Sequence, residues 1–371
     1  RSDVVRQAYQ SIASNVSFME FDQVTSDIKQ HALDIGVQFD DLKTLLEYKG
    51  NAYTESNITL HDGQNRPLGL YGKGSKRLLS MAIQLALAKA GGIVLIDEIE
   101  QGLESDRIRT IINKLSQVER GQIFVTTHSR DVVVESKANA LYLLNKNSTS
   151  FYQFEPELQG LLRSHPEAFF ARRVILCEGA TEYGVIRALD HHLQVKGGLG
   201  LSARSIAVVD SKGGSNFYHY ALWLKSKGID VITFNDDDNS SILASKQEAI
   251  TAGIRMAICD SENAFEQQLF NDTPWELLIE LAKLARDIHS EEGVVSCLDI
   301  QSISDLNTAP DELQPEIRKK LGNQAKKRGW YKNVTYGESL GGLLFSHMDS
   351  IEKGKTLYQE FKILLDWIDG Q

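Results

Sequence analysis

Apolar positions along this chain fall into two rhythms. The stretch SKRLLSMAIQLALAKA (75–90) repeats them at three- and four-residue spacing, which predicts an amphipathic helix. It runs into GIVLID (92–97), a short continuous apolar run that predicts a buried strand. A helix over about 104–118, a strand over QIFVTTHS (122–129) and short strands over ALYLLN (140–145) and SFYQFE (150–155) follow. The part before about residue 90 reads as mostly helical. PELQGLLRSHPEAFFA (156–171) predicts a linker of short helices, after which the strand rhythm restarts. Strands are predicted over 173–178, 205–210 and 230–235, with helices over about 180–193 and 214–227 between them. IRMAIC (254–259) is a fourth apolar run, and residues 262–371 read as helices around a basic, Gly-containing interruption near 322–337. Strands separated by helices predict parallel sheets covered by helices, so the fold class is α/β. The expected domains are 1–155 and 172–371, joined by the linker 156–171.

Composition narrows the class. With 371 residues, 42% hydrophobic and 24% charged, the chain can bury two ordinary cores and is not disordered. No apolar run approaches the roughly 20 residues that span a bilayer, so no membrane partner is expected. The opening RSDVVRQAYQ has neither signal-peptide organisation nor an initiator Met, which predicts a natural beginning further upstream. Cys177, Cys259 and Cys297 form no CxxC and sit in apolar segments. They predict buried thiols in a reducing, cytoplasmic compartment and argue against zinc. A net charge of −10 opposes attachment to nucleic acid by bulk charge. RKKLGNQAKKRGWYK (318–332) is the local exception: either a solvated helix face or a patch for backbone phosphates.

The chemistry concentrates at strand ends. VITFNDDDNSS (231–241) drives a buried strand into three aspartates, which repel one another unless water or a cation relieves them. Glu178 ends the strand in VILCEGATE, Gly179 permits a tight turn, and Glu182 can return to the same mouth from the first helical turn. Asp210 ends the next strand, and Asp236 and Asp238 end the third, while Asp237 should face away on an extended chain. Open α/β sheets bind ligands at such mouths. Oxygen donors without His or Cys point to Mg²⁺ or Mn²⁺.

A second constellation lies upstream. Asp97 and Glu98 end the strand GIVLID, as do the residues that hold Mg²⁺ and orient the attacking water in P-loop ATPases. LYGKGSKRLL (70–79) puts Gly72, Gly74 and Ser75 at a helix start, where free N–H groups suit a phosphate. His128 ends the next strand, within reach of a γ-phosphate. In this order the pieces resemble the second half of an ABC-type ATPase: a signature-like loop, a Walker B strand, a D-loop-like EQGLESD (100–106) and a switch histidine. The loop departs from LSGGQ, and no GxxxxGK[ST] occurs. In the family's order that P-loop lies upstream of residue 1, so ATP binding needs that region.

EG followed by DxD two strands later resembles a TOPRIM domain, shared by topoisomerases, primases, recombination mediators and the overcoming-lysogenization-defect (OLD) nucleases. The second acid of EGATE and the order ATPase-then-TOPRIM are similar to OLD proteins and the related Gabija nuclease subunit. The resemblance implies that Glu266 in SENAFEQQLF completes the metal site, with Glu262 the alternative. It also implies an assisting lysine in KKRGWYKNVTYGESLGGLL, Lys332 in preference to Lys326 or Lys327. The implied fold is the C-terminal part of an ABC-type ATPase, then a Rossmann-like TOPRIM sheet with a helical C-terminal extension. The implied activity is hydrolysis of DNA by two Mg²⁺ or Mn²⁺ ions under ATPase control. A homo-oligomer formed through ATPase heads, a role in phage defence and a partner protein are implied with it. Strand passage, primer synthesis and an ATP-driven DNA clamp are the rival readings.

Overall fold

In this computed structural model the chain divides into two compact units, Arg1–Leu141 and Tyr142–Gln371. The structure describes residues 19–37, 41–48, 56–144, 150–238, 240–260, 262–298 and 300–370. The predicted helicity before residue 19 and the end of the predicted strand 140–145 lie outside these residues.

In the first unit, helix α1 (Met19–Asp34) precedes two antiparallel strands, β1 (Leu42–Tyr48) and β2 (Ser56–Asp62), paired from Leu42↔Asp62 to Tyr48↔Ser56. This corrects the helical expectation for that stretch. Local spacing there is ambiguous, and the long-range partner decides: each strand satisfies the other's backbone, which neither does alone. Asp62 closes the following turn, its Oδ1 accepting the N–H groups of Gln64 and Arg66 at 2.8 and 2.9 Å. Then come α2 (Lys73–Lys89), β3 (Ile93–Ile96), α3 (Ser105–Leu115), β4 (Gln122–Val125) and α4 (Arg130–Glu135). β3 and β4 pair in parallel, as the alternation predicts, over a core that includes Leu78, Met81, Leu85, Val94, Ile96 and Ile108.

The second unit begins with an antiparallel hairpin, β5 (Tyr142–Leu144) with β6 (Phe151–Gln153). The expected short helices follow as two 3₁₀ turns around α5 (Gln159–Ser164). The main sheet holds β7 (Arg173–Cys177), β8 (Ile206–Asp210), β9 (Asp230–Asn235) and β10 (Arg255–Ile258), all parallel, in the order β10-β9-β7-β8. Helices α6 (Ala180–Val195), α7 (Phe217–Ser226) and α8 (Leu243–Thr251) make the crossovers. Val174 through Cys177 are fully buried, which is why this strand reads as an unbroken apolar run. Beyond the sheet come α9 (Phe265–Asp272), α10 (Trp275–Ile288), α11 (Glu291–Val295), α12 (Gln314–Arg328), α13 (Val334–Ser346) and α14 (Thr356–Asp369). The helical C-terminal expectation holds. No described helix is long and apolar enough to cross a membrane.

Glycine sets the approach of α6 to α13. A methyl at Gly184 would collide with Val334 O; one at Gly337 would lie 2.5 Å from Thr181 O, and one at Gly341 2.7 Å from Ala188 Cβ. Small residues thus bring the helix that carries Glu182 against the one that follows Lys332. Gly337→Ala should destabilise the second unit by about 1–3 kcal/mol through overpacking against backbone. Gly342→Ala, on the same helix with nothing within 4 Å of the added methyl, should cost nothing. Urea unfolding of the two variants checks this, and equal stability would contradict the close-approach account.

Candidate active site

Between β7 and β9 the chain reverses its direction across the sheet: β8 lies on one side of β7, and β9 and β10 on the other. Such a switch point opens a crevice at the carboxyl ends of the strands. Glu178 leaves β7 there and Asp236 leaves β9. The two are joined directly, the Asp236 N–H donating to Glu178 Oε2 at 3.1 Å. Glu182 folds back from the first turn of α6 and accepts the Gly179 N–H at 3.0 Å. The start of α9 closes the crevice, the Phe265 N–H donating to Asp236 Oδ1 at 2.7 Å. Glu266 follows on that helix, 2% exposed, and Glu182 is 6% exposed.

Burial and mutual repulsion push these acids upward. Burial first, then the Glu266 and Glu178 charges, raise the Asp236 carboxyl to about 8. Burial raises Glu182 well above the usual range, with Asp236 and Glu266 adding to it. Glu178 rises through burial and the Asp238 charge, against the Asp236 N–H and Lys332, which hold it down. Burial raises Glu266, and Lys332 and Lys326 oppose the rise. Glu178, Glu182, Asp236, Asp238 and Glu266 therefore form one electrostatic cluster, faced by two lysines. Asp210 ends the edge strand, and its Oδ1 is turned to its own loop, accepting the Lys212 N–H at 2.8 Å. Asp237 turns to Lys246 at 2.6 Å. Glu262 is exposed in a turn, so of the two candidates only Glu266 joins the cluster.

Lys332 is exposed at the end of a buried anchor. Trp330 and Tyr331 are fully buried. The Tyr331 hydroxyl donates to Leu281 O at 2.9 Å, and Tyr331 O accepts from Thr181 Oγ1 at 3.1 Å. Gly329, left-handed at φ 61°, ends α12, and its missing side chain leaves room for the Lys332 stem 3.3 Å away. The basic run 318–332 is partly committed. Arg318 donates to Phe270 O and Thr273 O at 2.8 and 2.7 Å, Lys320 pairs with Glu316, and Lys326 pairs with Asp238. Lys319, Lys327, Arg328 and Lys332 are its exposed cations.

Among the described residues, no three His, Cys, Asp or Glu side chains stand as a ready-made cage for an ion. The donor chemistry nevertheless fits a hard divalent cation. All donors are carboxylate oxygens, they repel one another, and Glu266 Oε1 is buried with no partner.

In the first unit, Gly72 caps α2, with Gly74 and Ser75 in its first turn. A methyl on Gly74 would lie 3.1 Å from Gly102 O, so the helix start abuts the segment 100–106. Asp97 and Glu98 are both exposed. Thr126 Oγ1 donates to Asp97 Oδ1 at 2.5 Å and accepts the Glu98 N–H at 2.9 Å. Glu98 sits at φ 45°, a strained conformation of the kind that gathers at functional sites. Glu100 ties the next strand end, accepting from the His128 N–H at 2.7 Å and from Thr127 Oγ1 at 2.8 Å. The Arg77 guanidinium donates to Asp97 O and Glu98 O at 2.6 and 3.0 Å. Sequence reading missed Arg77, Thr126 and Glu100. The polar run TTH after an apolar strand was the available signal for Thr126.

The second unit is thus a parallel sheet with acids at its switch point, and it follows a unit whose strand ends carry Asp-Glu and His. Residues 9–135 match the family model described as "AAA domain, putative AbiEii toxin, Type IV TA system". Residues 169–238 match "Overcoming lysogenization defect protein-like, TOPRIM domain". The chain therefore carries a region similar to an AAA-type ATPase domain followed by one similar to an OLD-like TOPRIM domain. Together they suggest a nuclease-type enzyme. No curated protein matches. One matching solved structure is described as "Structural biochemistry of ATP-driven dimerization and DNA stimulated activation of SMC ATPases". It is 12% identical, covers 38% of this chain and 88% of that chain, and has a TM-score of 0.28.

Behind the cluster, Glu360 on α14 is 1% exposed, and neither carboxylate oxygen has a hydrogen-bond partner of ordinary geometry. Burial, with the Asp272, Asp236 and Asp260 charges, pushes it from 4.5 to about 8, against the neighbouring Cys259 thiol. The folded state then holds a proton that the unfolded chain releases near 4.5. Its contribution to stability is full below that pH and is lost as pH rises through about 8. In chelator, unfolding free energy should fall from about pH 5 to about pH 8. Glu360→Gln should flatten that slope and be more stable at the upper end by on the order of a few kcal/mol. An unchanged slope in urea titrations would contradict this.

Proposed function

We propose that this chain is a divalent-metal-dependent DNA endonuclease under the control of its ATPase domain. The supporting observation is the partly buried cluster of acids at the switch point, with Glu182 and Glu266 buried and Lys332 facing it. Such a cluster is tolerable when a cation balances it. Glu178, Glu182, Asp236, Asp238 and Glu266 would hold Mg²⁺ or Mn²⁺, two ions in all, with Asp210 as an outlying candidate. When bound, the ions supply charge neutralisation and an activated water for attack on a phosphodiester.

The chain's own residues orient and neutralise. The Asp236 and Phe265 N–H groups hold Glu178 and Asp236 in place. Lys332, fixed by its buried anchor, places positive charge where the phosphate gains negative charge. The exposed basic residues of 318–332 engage the DNA backbone, giving an affinity that falls with salt. In the first unit, Gly72, Gly74 and Ser75 offer a helix start to the phosphates of ATP. Asp97 and Glu98 would hold a magnesium ion and orient the attacking water, and His128 would meet the γ-phosphate. The ATPase and nuclease domains, expected at 1–155 and 172–371 about the linker 156–171, divide in the fold after Leu141, and the enzyme acts in the cytoplasm. ATPase heads pair into a homo-oligomer, and the enzyme serves phage defence with a possible partner protein.

Plasmid cleavage with Mg²⁺ or Mn²⁺ tests this reading. Glu178→Ala, Asp236→Ala and Lys332→Ala should each lower nicking by about a hundredfold or more. Full cutting by the Asp236 variant would place the site elsewhere. DNA binding without any cutting in the wild type would favour the clamp, and a covalent protein–DNA adduct the topoisomerase reading. In a chain that includes the P-loop, Glu98→Gln should block ATP hydrolysis and leave nucleotide binding intact. Undiminished turnover would remove the Walker B assignment.

A further inference from the structure

Lys326 Nζ lies 3.0 Å from Asp238 Oδ2 and 3.3 Å from Gln267 Oε1. Packing fixes its position. Gln267 Oε1 also accepts the Ala264 N–H at 3.0 Å at the start of α9, and its Nε2 donates to Asn323 Oδ1 at 2.7 Å. One turn before Lys326 on α12, Gly322 comes so close that a methyl would meet Gln267 Cα at 3.2 Å. The ammonium is therefore held at a joint between the loop after β9, the helix carrying Glu266 and the basic helix. Both partners are about one-third or less exposed, at 35% and 26%. Asp238 is also the acid whose charge raises Glu178, Asp236 and Glu266 together.

We infer that Lys326 is a built-in counter-ion that competes with the divalent cation for Asp238 and passes to a DNA phosphate when the cation takes its place. The inference rests on the metal-site reading above. An ion can use Asp238 only by displacing the ammonium, so the site is weakened while DNA is absent. DNA offers the displaced ammonium a phosphate, which removes that penalty. Linkage then makes the effect mutual: DNA tightens ion binding by the same factor by which the ion tightens DNA binding. Lys332 differs in standing outside any ion pair with the cluster. Lys327, the next residue on α12, is exposed and serves as the control for bulk charge.

The test is Mn²⁺ binding by calorimetry on the whole chain, without DNA, with folding checked by circular dichroism. Lys326→Gln should bind Mn²⁺ about three- to tenfold more tightly than wild type, the range expected for loss of one partly exposed ion pair. Lys326→Arg should stay near wild type, and Lys327→Gln within about twofold of it. On a phosphorothioate duplex, which resists cutting, the affinity gained on adding Mn²⁺ should shrink in Lys326→Gln. Wild-type or weaker Mn²⁺ affinity in Lys326→Gln overturns the inference, as does an equal gain in Lys327→Gln. In both cases the metal site itself still stands. If wild type binds no Mn²⁺, or Asp236→Asn binds it as wild type does, the metal-site reading fails and this inference with it.

Discussion

Carboxylates withdrawn from water repel one another, and the fold of the second unit is organised around tolerating that repulsion. Glu182 and Glu266 are almost wholly buried, and Asp236 is raised to about 8 by its surroundings. Three N–H donors, two lysines and the start of a helix surround the group, yet Glu266 Oε1 still lacks a partner. A core built only for stability would place apolar side chains here, since unpaired buried charge costs several kcal/mol. Under the proposed function, a cation received by the cluster would account for the retained acids.

The scaffold delivers those groups from distant parts of the chain. The sheet order places the ends of β7 and β9 side by side. Glycines at 184, 337 and 341 let α6 and α13 meet at backbone distance. Thr181 then reaches Tyr331 O, tying the turn that precedes Glu182 to the anchor of Lys332. A hydrogen-bond network, buried at Asp272 and exposed at Asp260, joins the end of β10 to α9 and α14. Gln268 Nε2 donates to Asp260 and Asp272 at 2.9 and 2.7 Å, and Thr356 Oγ1 donates to Asp260 at 2.7 Å. That network seats the helix carrying Glu266.

Much of this was legible in the sequence because buried parallel strands announce themselves as apolar runs and their ends as polar breaks. The strands ending at Glu178 and Asp236 were visible for that reason, and resemblance extended the set to Glu266 and Lys332. The hairpin β1–β2 was not legible, because its pairing is decided by a partner and not by local spacing. The Asp238–Lys326 pair joins residues 88 positions apart, and no periodicity encodes such a contact. Asp210 resembled its neighbours in sequence, yet its loop bends it towards the Lys212 N–H, a turn geometry that SKGGSN did not disclose. In the first unit, Asp97, Glu98 and His128 were readable from their strand ends. The threonine and glutamate that orient them were not, since each acts across the paired strand.

The central claim is that acids from separate strands and helices share hard cations. Anomalous diffraction from a Mn²⁺-soaked crystal tests it most directly. The account predicts anomalous peaks at the crevice between β7 and β9, ringed by Glu178, Asp236, Asp238 and Glu266. A fully occupied Mn²⁺ elsewhere, with this crevice empty, would contradict it.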